Sequence, residues 1–382
     1  GGYGRAWKIT SNATTNTGDG VAIAYKAGVP LMDMEFVQFH PTGLFGKGIL
    51  MSEACRGEGG YLRNASGERF MANYAPELME LAPRDLVSRS EQQEIEAGRG
   101  IGPDGSGVYL DMTHLGAARI MERLPQVHEL ALNFAGVDIT KAPVPIQPTA
   151  HYSMGGIPTD VDGRVRANEL GDVIVGFYAA GECACVSVHG ANRLGTNSLL
   201  EASLFGRRTG KAMAEFVLGG ATLASMPAAE AAAQARRIQR FMDGEGTESV
   251  AEIAGTLKQT MTENVGVFRD ANRLEQALND IHLLQTRFEQ CRSRDKSRRF
   301  NTDLLATIEL EHLLTFAEVV VVSALARQES RGAHYRLDYN HRNDDAWLKH
   351  TLAFAAGETG VRLGYRPVTI FHDRYPPKAR TY

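Results

Sequence analysis

The sequence has no long hydrophobic run, and this absence bears on whether the chain enters a membrane. A helix that crosses a bilayer needs about 18 or more consecutive apolar residues. The most apolar stretch, residues 316–325, is shorter than that and contains Glu318. We therefore expect that no part of this chain spans a membrane.

An excess of positive charge is also missing. The chain has 41 Lys and Arg residues against 45 Asp and Glu residues, which gives a formal net charge of −4. Proteins that bind nucleic acids through their general surface are basic, so we expect no nucleic-acid partner. Any binding of anions must come from local clusters of arginine and histidine.

Cysteine is scarce, with four residues in 382: Cys55, Cys183, Cys185 and Cys291. Scattered cysteines in a chain of this length do not make a disulfide scaffold. The pair at 183 and 185 lacks the two-residue spacer and the second pair of a zinc site. We expect reduced, mostly buried thiols and no bound metal. No serine-nucleophile elbow is present either, which argues against serine hydrolase chemistry.

Glycine, by contrast, is abundant, and glycine-rich α/β patterns occupy much of the first 215 residues. Glycines bound the apolar and amphipathic runs there, as turns bound strands and helices. The patterns predict a helix at 18–27, a strand at 34–39, a buried strand at 173–180 and a helix at 197–217 with Asn197 or Ser198 as its N-cap.

From Pro227 onward the glycines thin out, and Ala, Arg, Gln and Leu dominate to about Arg331. Apolar residues recur there at helical spacing, at Leu274, Ala277, Leu278, Ile281, Leu284 and Phe288. We interpret this region as a helical bundle whose apolar stripes form a core. A polar, aromatic segment follows Gly332.

Histidines and arginines gather among the glycines in several short segments, at residues 38–43, 52–60, 84–85, 149–156 and 189–199. Such segments place cationic groups and free backbone amides on turns. Arginine binds a carboxylate through two parallel hydrogen bonds. The segments therefore favour a substrate that carries carboxylates.

Each of these residues also has a purely structural interpretation. Arg84 and Asp85 could form a local salt bridge, and Glu53 and Arg56 could form an ion pair on a helix surface. A histidine next to proline, such as His40, is often a turn or core residue. The residue types alone leave both interpretations open.

Taken together, the motifs are far more specific. They occur in a fixed order: Phe-His-Pro-Thr-Gly at 39–43, Arg-Gly-Glu-Gly-Gly at 56–60, Pro-Thr-Ala-His-Tyr at 148–152, His-Gly-Ala-Asn-Arg at 189–193, Asn-Thr at 301–302 with Glu-Leu at 309–310, and Glu-Ser-Arg-Gly-Ala-His at 329–334. Over essentially its whole length the chain resembles the flavoprotein subunit of succinate dehydrogenase (complex II) and fumarate reductase.

This resemblance implies an α/β fold in four parts: a split, Rossmann-like FAD-binding domain at 1–35 and 151–215, an α+β capping domain at 36–150, a helical domain at 225–335 and a small C-terminal domain at 336–382. The family's Gly-x-Gly-x-x-Gly turn and its flavin-linked histidine are not in this sequence. The opening Gly-Gly-Tyr-Gly-Arg resembles a later strand end of the same domain. We therefore expect an N-terminally truncated chain that binds FAD weakly or not at all by itself.

The resemblance also implies roles for individual residues. Arg84 resembles the arginine that moves the substrate proton, with Glu53 and Arg56 as its relay to solvent. The groups that hold the two carboxylates correspond to His40, Ser52, His151 and Arg193. Flavin contacts correspond to Asp19, Glu182, Ser198 and Leu199. Ser52 departs from the threonine that is usual in the family, but it keeps the hydroxyl and its hydrogen bond.

The implied reaction is the FAD-dependent interconversion of succinate and fumarate, with hydride passing to the flavin and a proton to Arg84. Electrons would leave through an iron–sulfur subunit that sits on a membrane anchor, on the cytoplasmic face of a bacterial inner membrane or the matrix side of a mitochondrial one. Two alternatives remain. One is an L-aspartate oxidase, a sister flavoprotein that shares the histidine motifs but tends to lack a segment like residues 347–354. The other is a non-catalytic fragment.

Overall fold

The structure is a computed structural model that describes residues 1–222, 224–357, 360–371 and 373–378. Parts of the predicted C-terminal domain, at residues 358–359, 372 and 379–382, lie outside the described residues. The chain divides into two compact units. The large unit comprises Gly1–Lys8, Thr14–Phe36 and Ser153–Pro367, and the small unit comprises Ile9–Ala13, Val37–Tyr152 and Val368–Tyr382.

Helices and strands alternate through the first half of the chain, and helices dominate the second half. The helices are α1 (Asp19–Lys26), α2 (Ala54–Gly57), α3 (Met71–Tyr74), α4 (Arg84–Glu94), α5 (Ala117–Arg123), α6 (Pro125–Ala135), α7 (Asn197–Leu218), α8 (Ala228–Met242), α9 (Val250–Asn264), α10 (Ala271–Phe288), α11 (Thr302–Ala326) and α12 (Asp344–Trp347). The strands are β1 (Leu31–Met32), β2 (Val37–Leu44), β3 (Tyr61–Arg63), β4 (Val108–Asp111), β5 (Val144–Ser153), β6 (Ile157–Pro158), β7 (Arg164–Arg166), β8 (Val173–Tyr178), β9 (Ala184–Cys185), β10 (Lys349–Ala355) and β11 (Val361–Pro367).

A four-stranded sheet in the order β2-β5-β4-β3 organises the small unit. Strand β4 pairs antiparallel with both neighbours, so that Leu110 stands opposite Leu62 on one side and Val144 on the other. These three side chains are fully buried. They belong to a core that also takes apolar residues from α3 to α6, because burying one face of a sheet requires a layer of helices or loops against it.

Helix α4 lies against β2 within the small unit. It begins directly after Pro83, whose fixed φ suits the residue before a first helical turn. At its other end the chain makes a π-helical turn, Ile95–Arg99, in which Gly98 takes a left-handed φ of 74°. Across that turn, Glu94 at the end of α4 accepts two hydrogen bonds from Arg99, at 2.7 and 2.8 Å.

The large unit is built around α11, which packs against α1, α8, α9 and α10. It is apolar nearly all round, as a helix in the centre of a bundle must be. Side chains cap the starts of the last three long helices: Ser249 for α9, Asp270 for α10 and Asn301 for α11. The predicted helices at 18–27, at 197–217 and around 274–288 are confirmed as α1, α7 and α10.

A second sheet of the large unit has the order β1-β10-β11. Beside it lies a buried ion pair, in which Arg327 donates to Glu35 at 2.6 Å. Thr351 of β10 donates to the same carboxylate oxygen at 2.8 Å. Burial raises the pKa of Glu35, and the charge of Arg327 opposes that shift.

Three details of the predicted elements are wrong. The strand expected at 34–39 begins only at Val37, because the amide of Phe36 closes a turn on the carbonyl of Asp33, at 3.1 Å. Strand β8 is not buried: Val175 is 80% exposed, since β8 pairs with β7 in a two-stranded sheet. Helix α7 takes Thr196 as its N-cap, in a left-handed conformation with φ 66°, rather than Asn197 or Ser198.

Among the residues that the structure describes, no helix combines the length and the apolar character needed to cross a bilayer. Nor do those residues include a group of three or more His, Cys, Asp or Glu side chains placed to hold a metal ion. The four cysteines are free thiols, and Cys55, Cys185 and Cys291 are buried.

Candidate functional site

The guanidinium group of Arg84 is directed at one carboxylate in the small unit. Its Nε and Nη2 donate to Oε2 of Glu53 at 3.1 and 2.6 Å, and its Nη1 donates to Oε1 of Gln38 at 3.2 Å. The side chain is 9% exposed. Because it stands at the first position of α4, the helix start fixes its direction.

Glu53 also binds a second arginine through its other oxygen. Oε1 accepts from Nη2 of Arg56 at 2.8 Å, so one carboxylate bridges two guanidinium groups. Burial alone would raise the pKa of Glu53, but its bonds to Arg84 and Arg56 outweigh burial, and the pKa is lowered. Glu53 is therefore an ionised acceptor between two donors.

Arg56 is the most buried member of this group, with a side chain 1% exposed. Its Nη1 donates to the backbone carbonyls of Glu80 and Ala82. Burial lowers the pKa of Arg56, and the charge of Glu53 opposes the shift. A guanidinium held in this way gives up its proton more readily than one in water.

The structure also tests the two local ion pairs that the sequence left open for these residues. Glu53 and Arg56 do form an ion pair, but the Arg56 side chain is buried and the Glu53 carboxylate also binds Arg84. Asp85 forms its ion pair with Arg89 at 3.2 Å, one helical turn away. A local salt bridge with Asp85 is therefore not what directs the Arg84 side chain.

Two histidines meet on adjacent strands of the small unit. His40 of β2 and His151 of β5 have ring centroids 5.0 Å apart, in an edge-to-face arrangement at 71°. The amide of Thr42 donates to Nδ1 of His40 at 3.1 Å. In neutral His40 the proton therefore lies on Nε2, where it is a donor suited to a carboxylate. Nδ1 of His151 lies 2.6 Å from the hydroxyl of Ser11.

Ser52 lies on the exposed turn before α2. Its hydroxyl oxygen accepts from the amide of Ala54 at 3.2 Å. Since a serine hydroxyl both accepts and donates, its proton remains available for another acceptor. The substitution of serine for threonine at this position thus keeps the donor that the sequence predicted.

In the large unit, Arg193 is fixed by a neighbour on α7. Its Nη2 donates to the hydroxyl of Ser198 at 2.7 Å, and the residue is 7% exposed. The loop that carries Arg193 is held by a second contact, in which Nε2 of His189 lies 2.7 Å from Oε2 of Glu201. A predicted carboxylate-binding residue and a predicted flavin contact are thus in direct contact.

The remaining predicted flavin contacts also lie in the large unit. Asp19 begins α1, and its two carboxylate oxygens bind His312 at 2.7 Å and Thr17 at 3.0 Å. Glu182 accepts from the amide of Ser153 at 3.2 Å, and burial raises its pKa. Leu199, in the first turn of α7, is 74% exposed.

Two protein-family models match most of the chain. Residues 1–199 match the FAD binding domain family, and residues 254–382 match the fumarate reductase flavoprotein C-terminal family. The chain is 46% identical to the succinate dehydrogenase flavoprotein subunit of Coxiella burnetii, in an alignment covering 100% of this chain and 65% of the relative. It is also 46% identical to the fumarate reductase flavoprotein subunit of Serratia sp., with the same coverage.

A solved chain of E. coli quinol fumarate reductase has a TM-score of 0.91 and 44% identity, over 99% of this chain and 67% of that chain. This chain belongs to the succinate dehydrogenase and fumarate reductase flavoprotein family. The match confirms the predicted family, the α/β fold class with its FAD-binding domain, and FAD as the family's cofactor. The chain spans about two thirds of the length of these relatives.

The large unit has local features that fit FAD. Among the described residues, no side-chain hydrogen bond caps the first turn of α7, which begins after the left-handed Thr196. Backbone amides at such a helix start bind acceptor oxygens. At Gly181, with φ 78°, no described atom beyond the adjacent residues lies within 4 Å of the place where a Cβ would be, so a flat ring can approach the backbone there. Glu182, Ser198 and Leu199 adjoin these two features in the sequence.

Three contacts of the candidate residues were not predicted from the sequence. Gln38 binds Arg84, Ser11 binds His151 and Glu201 binds His189. Gln38 had a usable signal, because it lies two residues before His40 on a strand, where side chains share a face at every second position. Ser11 and Glu201 carry no such local signal.

Proposed function

We propose that this protein interconverts succinate and fumarate as a flavoprotein. The observation that carries the proposal is the Glu53 carboxylate held between Arg84 and Arg56. This arrangement suits the passage of a proton, since each donor meets an acceptor at hydrogen-bond distance. FAD supplies the acceptor for the hydride.

In the oxidation of succinate, one carbon loses a hydride and its neighbour loses a proton to the neutral form of Arg84, and a double bond forms between them. The proton leaves Arg84 through Glu53, whose Oε2 lies 2.6 Å from Nη2 of Arg84. Arg56 accepts the proton from Glu53 as it releases one of its own protons toward solvent, so that its charge does not change. In the reduction of fumarate every transfer runs in the opposite direction, by microscopic reversibility.

The residues that bind the carboxylates are proposed to be His40, Ser52, His151 and Arg193. Cations and N–H donors are the groups that bind carboxylates most strongly. The Nε2 proton of His40 follows from its bond with Thr42, which supports this role. The bond of Arg193 with Ser198 would hold the guanidinium in one orientation for its carboxylate.

For the flavin, Asp19, Glu182, Ser198 and Leu199 are the proposed contacts. Electrons are proposed to pass to an iron–sulfur subunit on a membrane anchor, at the cytoplasmic face of a bacterial inner membrane or the matrix side of a mitochondrial one. The similarity to a quinol fumarate reductase supports this assembly. Pull-down of the tagged full-length subunit from solubilised membranes tests it, and recovery of the subunit alone would contradict it.

The reaction itself is tested by reduction of the bound flavin under anaerobic conditions. We expect succinate to bleach the flavin absorbance of the flavin-loaded full-length subunit and L-aspartate to leave it unchanged. Bleaching by L-aspartate and not by succinate would identify the protein as an oxidase of aspartate instead. A lack of bleaching by either would contradict the proposal.

A further inference from the structure

The proposed reaction does not use the motif Glu-Ser-Arg-Gly-Ala-His at residues 329–334. In the structure the last four of these residues form a tight turn in the large unit. The amide of Arg331 donates to the carbonyl of His334 at 2.8 Å, and the amide of His334 donates back to Arg331 at 3.0 Å. Gly332 holds the second position of the turn with a left-handed φ of 56°. A positive φ at this position favours glycine.

This 331–334 turn lies against the loop at residues 189–193, which carries Arg193. The amide of Ala333 donates to the carbonyl of Ala191 at 2.9 Å. A Cβ on Gly332 would lie 2.5 Å from that carbonyl oxygen and 2.8 Å from the Cβ of Ala191. Even attractive C–H···O contacts are about 3.3 Å or longer. Only a residue without a side chain therefore lets the turn and the loop approach this closely.

The contact with Ala191 fixes a part of the loop that helix α7 does not hold. Ala191 lies two residues before Arg193 in the chain. Helix α7 binds the loop through side chains, in the contacts of His189 with Glu201 and of Arg193 with Ser198. The 331–334 turn instead binds the loop backbone, and the backbone sets where the Arg193 side chain starts.

Glu329 holds the base of the turn in place. Its Oε1 accepts from Nη1 of Arg327 at 3.0 Å and from Nε of Arg331 at 2.7 Å. Its Oε2 accepts from Nη2 of Arg331 and from the amide of Asn343, both at 2.9 Å. Glu329 is 0% exposed. A buried carboxylate with donors on both oxygens is held rigidly.

His334 anchors the other end of the turn in the interior of the large unit. Its Nδ1 lies 3.0 Å from Nη1 of Arg269, and its Nε2 lies 3.2 Å from the carbonyl of Arg327. Because a guanidinium group can only donate, Nδ1 accepts and Nε2 carries the proton. Burial lowers the pKa of His334 well below its ordinary value, so the ring is neutral. Both ends of the turn are thus fixed.

We propose that the 331–334 turn supports the loop of Arg193, and that Gly332 is a positioning residue for the binding of substrate. This inference rests on the proposed function, because it takes Arg193 as a residue that binds a carboxylate of the substrate. Gly332 acts through Ala191 and Arg193 rather than by touching the substrate.

The expected effect of a side chain at position 332 follows from the contact distance. A methyl group there must push Ala191 away by roughly 1 Å to reach an ordinary contact. A misplacement of about 1 Å can cost ~10²-fold in the action of a positioned group. Because Arg193 is proposed to bind a carboxylate before the reaction begins, the loss should appear in affinity as well as in turnover.

The first test measures malonate binding to the flavin-loaded full-length protein by titration calorimetry, without any turnover. Gly332→Ala should bind malonate about tenfold or more weakly than the unmodified protein. The matched control is Gly244→Ala in the same unit, where φ is 67° and no described atom beyond the adjacent residues lies within 4 Å of the added Cβ. It strains the backbone without displacing a neighbour, so its malonate affinity should not change. Equal affinities in the two variants would overturn the inference.

A second variant tests the support without placing an atom beside Ala191. Glu329→Gln removes the negative charge that binds Arg327 and Arg331, so the base of the turn loosens. We expect weaker malonate binding in this variant too, and circular dichroism checks that it is folded. If Gly332→Ala does not fold, Glu329→Gln decides the question. An unchanged malonate affinity in folded Glu329→Gln would contradict the supporting role of the turn.

A double-mutant cycle separates positioning of Arg193 from a general loss of structure. In a chain that already carries Arg193→Gln, Gly332→Ala should cause little further loss of malonate affinity, because it acts through the residue that has been removed. Equal losses in the two backgrounds would mean that Gly332 does not act through Arg193.

The same measurements distinguish failure of this inference from failure of the proposed function. If Arg193→Gln loses malonate affinity while Gly332→Ala keeps it, Arg193 binds a carboxylate and only the role of the turn is wrong. If Arg193→Gln keeps malonate affinity, the proposed role of Arg193 is wrong and the inference fails with it. Bleaching of the flavin by succinate tests the reaction independently of both.

Discussion

Oε2 of Glu53 accepts both the Nε and the Nη2 protons of Arg84, at 3.1 and 2.6 Å, while the other oxygen of Glu53 binds Arg56. One carboxylate thus holds two arginines that come from separate helices. It is ionised because the two cations lower its pKa despite burial. Removal of the Glu53 carboxylate should therefore interrupt the proposed proton path.

Glu53→Gln is expected to slow both directions of the reaction by ~10²-fold or more, since an amide neither carries a proton nor balances two cations. Steady-state turnover of the flavin-loaded protein measures this. Glu58→Gln is the matched control, because that carboxylate pairs with Arg119 and Arg123 at the surface nearby. If the two variants had equal turnover, Glu53 would not belong to the relay.

A second prediction concerns the buried pair of Glu35 and Arg327 in the large unit. Arg327→Met should lower the free energy of unfolding by about 3–5 kcal/mol, because it leaves a buried carboxylate without its cation. Adding Glu35→Gln should restore part of the loss. Denaturant unfolding measures both changes.

The control for that measurement is Arg342→Met, which removes a pair with Asp344 near the surface. Exposed pairs contribute about 1 kcal/mol or less. If Arg327→Met lost no more stability than Arg342→Met, the burial of the ion pair between Glu35 and Arg327 would not contribute to stability.

A third prediction follows from Glu94. Its hydrogen bonds with Arg99, above all, lower the pKa of Glu94 to about 2. The pKa of Glu94 is lower in the folded state than in the unfolded state. The ionised carboxylate therefore stabilises the small unit at pH values above the ordinary pKa of a glutamate, about 4.3. That stabilisation is lost as the pH falls from there toward 2.

Urea unfolding between pH 6 and pH 3 checks this sign. Glu94→Gln should lose less stability over that range than the unmodified protein does, because it has no proton to take up. Glu96→Gln, at an exposed position two residues later, should retain the full dependence. Equal pH dependence in Glu94→Gln and the unmodified protein would show that the Arg99 pair does not lower the pKa of Glu94.

Much of the fold could be predicted from the sequence where the signal is local. The helical period from Leu274 to Phe288 predicted α10, since every third or fourth residue had to be buried. The start of β2 was misplaced because the turn from Asp33 to Phe36 depends on a backbone hydrogen bond that cannot be predicted from the residue types. The exposure of β8 depends on which strands pair with it, and that is a property of the fold rather than of the apolar run.

In the candidate site, too, local motifs could be predicted and contacts between distant segments could not. The motifs that contain His40 and His151 were recognisable, but the sheet order that brings their rings to 5.0 Å joins strands about a hundred residues apart in the chain. Contacts between distant segments decide that these two histidines meet.

The most direct test of the account is the turnover of Arg84→Gln together with its affinity for malonate, a non-reacting dicarboxylate. Because proton transfer acts in the transition state, Arg84→Gln should lose ~10²-fold or more of its turnover and keep most of its malonate affinity. Arg84→Lys should retain only a small fraction of turnover, since its shorter and differently shaped side chain misplaces the proton. Arg193→Gln should lose both turnover and malonate affinity, because it removes the proposed bidentate contact with a carboxylate. Near-normal turnover in Arg84→Gln would contradict the assignment of Arg84 as the group that moves the proton.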